Sequence, residues 1–120
     1  MKIAMPVKPK GDDYVLSTAY GKAKFFLIYD TDTQESKIIE NTALNGKGIA
    51  QDLAAEHVDV VITNHIGGGA YNALVEKGIK AYFTEDKNQS YKKIIQDFLQ
   101  NKLNEITSQN FHLIPQHHHH

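Results

Sequence analysis

The chain has 120 residues, 41% of them apolar and 22% charged, with a formal net charge of −1. These totals fit one soluble globular domain with a core of its own, and they exclude a disordered chain or one that grips a phosphate backbone by bulk charge. Cysteine is absent, which removes disulfides, thiolate catalysis and cysteine-held clusters from this chain's chemistry.

The first element is Lys2–Val7, KIAMPV, an apolar run that reads as a buried strand with Pro6 near its end. No long apolar stretch with a small-residue cleavage site precedes it, and no run approaches a membrane span, so a cytoplasmic location is expected. Lys8–Tyr20 is a long connection carrying Pro9, Gly11, Ser17 and Thr18, with Val15-Leu16 a short strand within it. Connections of this length in a compact domain are often functional. Lys24–Asp30, KFFLIYD, is aromatic and branched, hence a strand. The polar turn Thr31–Glu35 returns the chain as a strand over Ser36–Glu40, which makes an antiparallel hairpin.

Asn41–Gly48 reads as a loop, Ile49–His57 as a helix, and Val58–Thr63, VDVVIT, as the most strongly apolar strand. The glycine-rich turn Asn64–Gly69 leads into a helix over Ala70–Lys77. Gly78 is expected at that helix's C′ position, where a positive φ is needed. Ile79–Phe83 is the fifth strand. The last helix is expected over Ser90–Leu103, where Tyr91, Ile94, Ile95, Phe98 and Leu99 recur at helical spacing and face a core. The domain should therefore occupy residues 1–106, with 107–120 a flexible tail. His117–His120 reads as a purification tag or as a native metal-collecting tail.

A hairpin followed by alternating strands and helices predicts an α/β domain: a five-stranded mixed sheet, order 3-2-1-4-5, with helices on its faces. In that arrangement Lys8–Tyr20, Asn41–Gly48 and Asn64–Gly69 meet at the carboxyl ends of parallel strands, where ligands of open α/β sheets bind. The sharpest motif is Thr63-Asn64-His65-Ile66-Gly67-Gly68-Gly69-Ala70-Tyr71. Glycines let a ligand approach backbone N–H groups, and a helix start favours anions. His65 adds an imidazole and is the candidate metal ligand. Asn64, His65, Gly67, Gly68 and Gly69 form the candidate cofactor-binding set, joined by Ser17, Thr18 and Tyr20 from the first loop and Asn45 from the second. Lys47 is a further charge for an anion. The plainer reading is a tight strand-to-helix turn with His65 packed at its edge. His57 at a helix end reads as structural.

Four ordered segments resemble the dinitrogenase iron–molybdenum cofactor biosynthesis family, NifX-like type. They are KIAMPV (Lys2–Val7), YGKAKFFLIYD (Tyr20–Asp30), NGKGIAQDLAAEHVDVVIT (Asn45–Thr63) and HIGGGAYNALVEKGIKAY (His65–Tyr82). With the last helix they span about residues 1–103. The resemblance implies a ribonuclease H-like fold. It also implies a protein that binds, carries or stores an iron–sulfur or iron–molybdenum type cluster or its precursor, with cluster-assembly proteins as partners. The family often has a histidine before the aromatic-glycine pair of the first loop; here Ala19 precedes Tyr20-Gly21.

Two other function classes stand beside this one. A small-anion or nucleotide-binding module would use the Gly67–Gly69 turn, although it lacks the lysine and hydroxyl of a P-loop. A metal-dependent nuclease would need carboxylates clustered at the sheet. The first strand has none, and Asp30, Glu40 and Asp59 are dispersed, so the expectation is a binding protein and not an enzyme. Neither nucleic acid nor a membrane is expected as a partner.

Overall fold

The computed structural model describes residues 1–111. In chain order the elements are β1 (Lys2–Lys10), β2 (Asp13–Leu16), β3 (Phe25–Asp30), β4 (Glu35–Glu40), α1 (Gly46–Ala55), β5 (Val60–Thr63), α2 (Gly68–Glu76), β6 (Lys80–Phe83), α3 (Tyr91–Leu99) and β7 (Asn104–Ile106). One mixed sheet holds all seven strands in the order β4-β3-β1-β5-β6-β7, with β2 paired to β1. β1, β5 and β6 run parallel, while β3 is antiparallel to β1 and to β4.

The expected order of the five longer strands is present, but the sheet has seven strands, not five. The two additions are short. β2 forms because β1 continues through Lys8–Lys10, where a loop was expected, and turns back at Gly11, whose φ is +60°. β7 is a three-residue segment, two polar residues and the buried Ile106, that pairs with β6.

β1 is central and covered on both sides, which explains its unbroken apolar run. Ala4 packs with Phe26, Ile28, Val61 and the buried residues of α1 and α2. Ile3, Met5 and Val7 face the other way, onto Leu27, Ile62 and the α3 residues Ile94 and Ile95. Leu53 of α1 is fully buried, and truncating such a leucine to alanine costs about 2–5 kcal/mol.

Each helix ends in a left-handed residue: His57 (φ 63°), Gly78 (φ 73°) and Asn101 (φ 61°). After each, the next N–H donates to a carbonyl in the last helical turn: Val58 to Leu53, Ile79 to Leu74, and Lys102 to Asp97. Gly78 thus holds its expected role, and His57 closes α1. Asn101 ends α3 earlier than the apolar spacing through Leu103 suggests.

Residues 107–111, expected within a loose tail, are folded back against α2. Asn110 accepts from Thr107 N at 2.8 Å and donates to Glu105 O at 2.9 Å. The Phe111 ring stacks on Tyr71, with centroids 5.3 Å apart. The rest of the expected tail, including His117–His120, lies outside the described residues.

Candidate functional site

β5 delivers the chain to the glycine turn. Thr63 is fully buried, and its Oγ1 donates to His65 O at 2.8 Å while accepting from His65 N at 3.3 Å, so the chain bends sharply at the strand end. Asn64 Nδ2 donates to Thr84 O at 2.8 Å and ties the turn to the end of β6. Ile66 is fully buried in the core shared by the sheet, α1 and α2. With Ile66 driven inward, His65 and Gly67 on either side stay half-buried.

Gly67 takes the extended conformation of a helix cap (φ −79°, ψ 164°) but has no side chain with which to cap. The first helical hydrogen bond runs from Tyr71 N to Gly67 O at 2.9 Å. Among the described residues, the amides of Gly68, Gly69 and Ala70 donate to no protein acceptor. By contrast Asn45 Oδ1 caps α1 from Gly48 N at 2.7 Å, and Ser90 caps α3 at Lys92 N. None of the three glycines has a positive φ. Among the described residues, a Cβ at Gly67 or Gly69 would meet nothing within 4 Å, and one at Gly68 would touch the Phe111 ring at an ordinary 3.8 Å. Neither backbone strain nor packing demands glycine here. The triplet supplies bare N–H groups at the positive end of a helix.

The second loop brings the start of α1 alongside. A Cβ on Gly46 would overlap Ala70, and one on Gly21 would stand 3.0 Å from Gly46 N. Gly21, just after the first loop, and Ala70, at the start of α2, thus both lie close against Gly46 of the second loop. An open groove of about 640 Å³ lies between the two helix starts, lined by Asn45, Gly46, Lys47, Gly69, Ala70 and Asn72.

The remaining predicted residues divide by role. Ser17 serves its own turn, with Oγ accepting from Ala19 N at 3.1 Å and its N–H donating to Pro6 O at 2.9 Å. Thr18 is half-buried beside it. Tyr20 lies in the core, 2% exposed, edge-on to Phe26 at 5.3 Å. Its hydroxyl is buried without a hydrogen-bond partner, and burial pushes its pKa well above the ordinary tyrosine value. It packs the base of the site and does not line its surface.

Sequence reasoning missed Asn41. It is 1% exposed, and its Nδ2 donates to both Gly21 O and Ala23 O at 2.9 Å while its Oδ1 accepts from Leu44 N at 3.2 Å. The only advance signal is an asparagine following a strand, a position at which asparagine commonly bonds nearby backbone.

Residues 1–101 match the family described as dinitrogenase iron-molybdenum cofactor. The chain belongs to that family. Among solved structures, the apo form of the orange protein from Desulfovibrio gigas is 25% identical, with a TM-score of 0.80, over 88% of this chain and 92% of that one. A Thermotoga protein of the DUF35 family, described as a candidate NifB, is 26% identical with a TM-score of 0.76, over 89% and 94% of the two chains. No curated protein matches. Within this dinitrogenase-cofactor domain, no three or more His, Asp or Glu side chains among the described residues are placed to hold a metal ion. Among the described residues, no helix is long and apolar enough to cross a membrane.

Proposed function

We propose that this domain binds and carries an iron–sulfur or iron–molybdenum type cluster, or a precursor of one, as cargo. The N–H groups of Gly67–Gly69 and Ala70 hold the anionic face of the cluster, and His65 supplies a single imidazole ligand. The observation that carries the reading is the α2 start: uncapped, bare of side chains, and glycine-rich where the fold has no need of glycine. Family membership gives the guest its class. One protein ligand suits a carrier, because few bonds need breaking at release. A hydrogen bond from its other ring nitrogen should orient the imidazole. Cluster-assembly proteins are the natural donors and acceptors, a cytoplasmic setting fits that exchange, and the scaffold is read as ribonuclease H-like. Carriage without catalysis is part of the proposal; Asp59, for instance, is engaged with Lys2 N at the amino-terminal end of β1, the far end of β5 from the glycine turn.

The test is anaerobic incubation with iron and sulfide of a chain lacking His117–His120, whose imidazoles would bind metal by themselves. Cluster absorption should develop in this chain and fall sharply in His65→Ala. Equal absorption in both would remove His65 as the ligand. The second reading, a small-anion module, uses the same uncapped amides. It would be favoured if inorganic phosphate shifted the Gly67–Gly69 amide resonances while no cluster was retained.

A further inference from the structure

We propose that Asn41 is a positioning residue for the glycine turn, acting through the start of α1. The proposal rests on the reading that this turn is where cargo sits. Asn41 follows β4 directly. Its buried amide joins the segment before β3, at the carbonyls of Gly21 and Ala23, to the segment after β4, at the N–H of Leu44. Its own backbone N–H donates to Lys24 O at 2.8 Å. Both side-chain N–H bonds and the side-chain oxygen are thus used, at a position shut off from water.

The clasp acts against strain. Leu44 is held at φ 54°, a conformation that costs a branched residue free energy, and its side chain is half exposed instead of packed. Nothing about Leu44 itself favours that geometry; its N–H bonded to Asn41 Oδ1 does. The left-handed residue turns the chain into Asn45, which caps α1, and into Gly46, which presses on Ala70 in the first turn of α2. Contact therefore runs from the Asn41 amide through Leu44 and Gly46 to the uncapped helix start. Releasing the clasp should let Leu44 relax and draw Gly46 away from Ala70, changing the groove without touching the sheet.

The test compares three full-length chains: the unaltered protein, Asn41→Asp and Ile95→Ala. The aspartate has the size of asparagine but turns an oxygen toward two carbonyl oxygens. Ile95→Ala loosens the opposite face of the sheet and controls for lost stability alone. In nitrogen–proton NMR spectra without ligand, Asn41→Asp should move the amide signals of Leu44, Gly46, Gly48 and Gly69 and leave those of β5 and β6 in place. Ile95→Ala should move none of the four. In anaerobic titration with an iron–sulfide cluster, Asn41→Asp should bind about tenfold more weakly, the scale of one lost charge-exposed buried hydrogen bond. Ile95→Ala should bind as the unaltered chain does. Unchanged loop signals in Asn41→Asp, or unchanged affinity, would overturn the proposal. Should Asn41→Asp fail to fold, the pair Asn41→Asp with Leu44→Gly removes the opposing strain. It should fold and bind close to the unaltered chain, because glycine keeps the left-handed turn without the clasp; a folded pair that still binds tenfold more weakly would overturn the route through Leu44. If the unaltered chain takes up no cluster, the cargo reading fails, while the NMR comparison still decides whether Asn41 sets the loop.

Discussion

The starts of α1 and α2 lie side by side and both are rich in glycine, yet their glycines have opposite explanations. At α1, Gly46 and Gly48 are crowded: a Cβ would overlap Ala70 at the first and Ala43 at the second. The helix there is capped by its own Asn45. At α2, Gly67 and Gly69 face open space, and the helix has no side-chain cap. Glycine in a first helical turn costs roughly 0.5–1 kcal/mol against alanine. At α1 that cost lets two helices meet. At α2 nothing among the described residues offsets it, which is why the turn is read as a surface kept clear for a guest.

The contrast breaks most visibly at Gly46→Ala. Forcing a methyl into the Ala70 contact should destabilise the fold by about 1–3 kcal/mol, read as a lower urea midpoint. Gly69→Ala should do the reverse, leaving stability unchanged or raising it by up to about 1 kcal/mol while weakening cluster uptake. Equal destabilisation by the two changes would erase the distinction. Next in size are the caps. Asn45→Ala should cost ~1 kcal/mol by baring Gly48 N. Gly67→Asp should stabilise α2 by a few tenths of a kcal/mol, because an internal carboxylate would satisfy the free amides. That variant should also lose anion binding; retained binding would mean that the cargo sits elsewhere. The smallest effect is expected at Tyr20→Phe. Removing an unpaired buried hydroxyl should leave thermal stability equal or raised by at most ~0.2 kcal/mol, because no bond is lost.

Much of the architecture was legible because it is written in local periodicity. The β1 run, the β3–β4 hairpin, the Val60–Thr63 strand, the Gly78 helix stop and the glycine turn each follow from a few adjacent residues. What escaped depends on distant partners. β7 is two polar residues and one isoleucine, too short to show a strand pattern until β6 lies beside it. Asn41 looks like any loop asparagine, since its acceptors lie 18 and 20 residues earlier in the chain. Tyr20 was expected to offer its hydroxyl to a ligand; its ring instead finds a place against Phe26. Ile66 escaped for the opposite reason, being one apolar residue among glycines, and it anchors the turn.

The position of Phe111 has a practical side. Its ring touches the space above Gly68, whereas Met1 sits at the far end of β1, its carbonyl engaged by Thr31. A probe attached at residue 111 itself would therefore sit beside the glycine turn, at a high local concentration. A fluorophore or affinity handle meant to report on uptake without taking part in it belongs on the amino end.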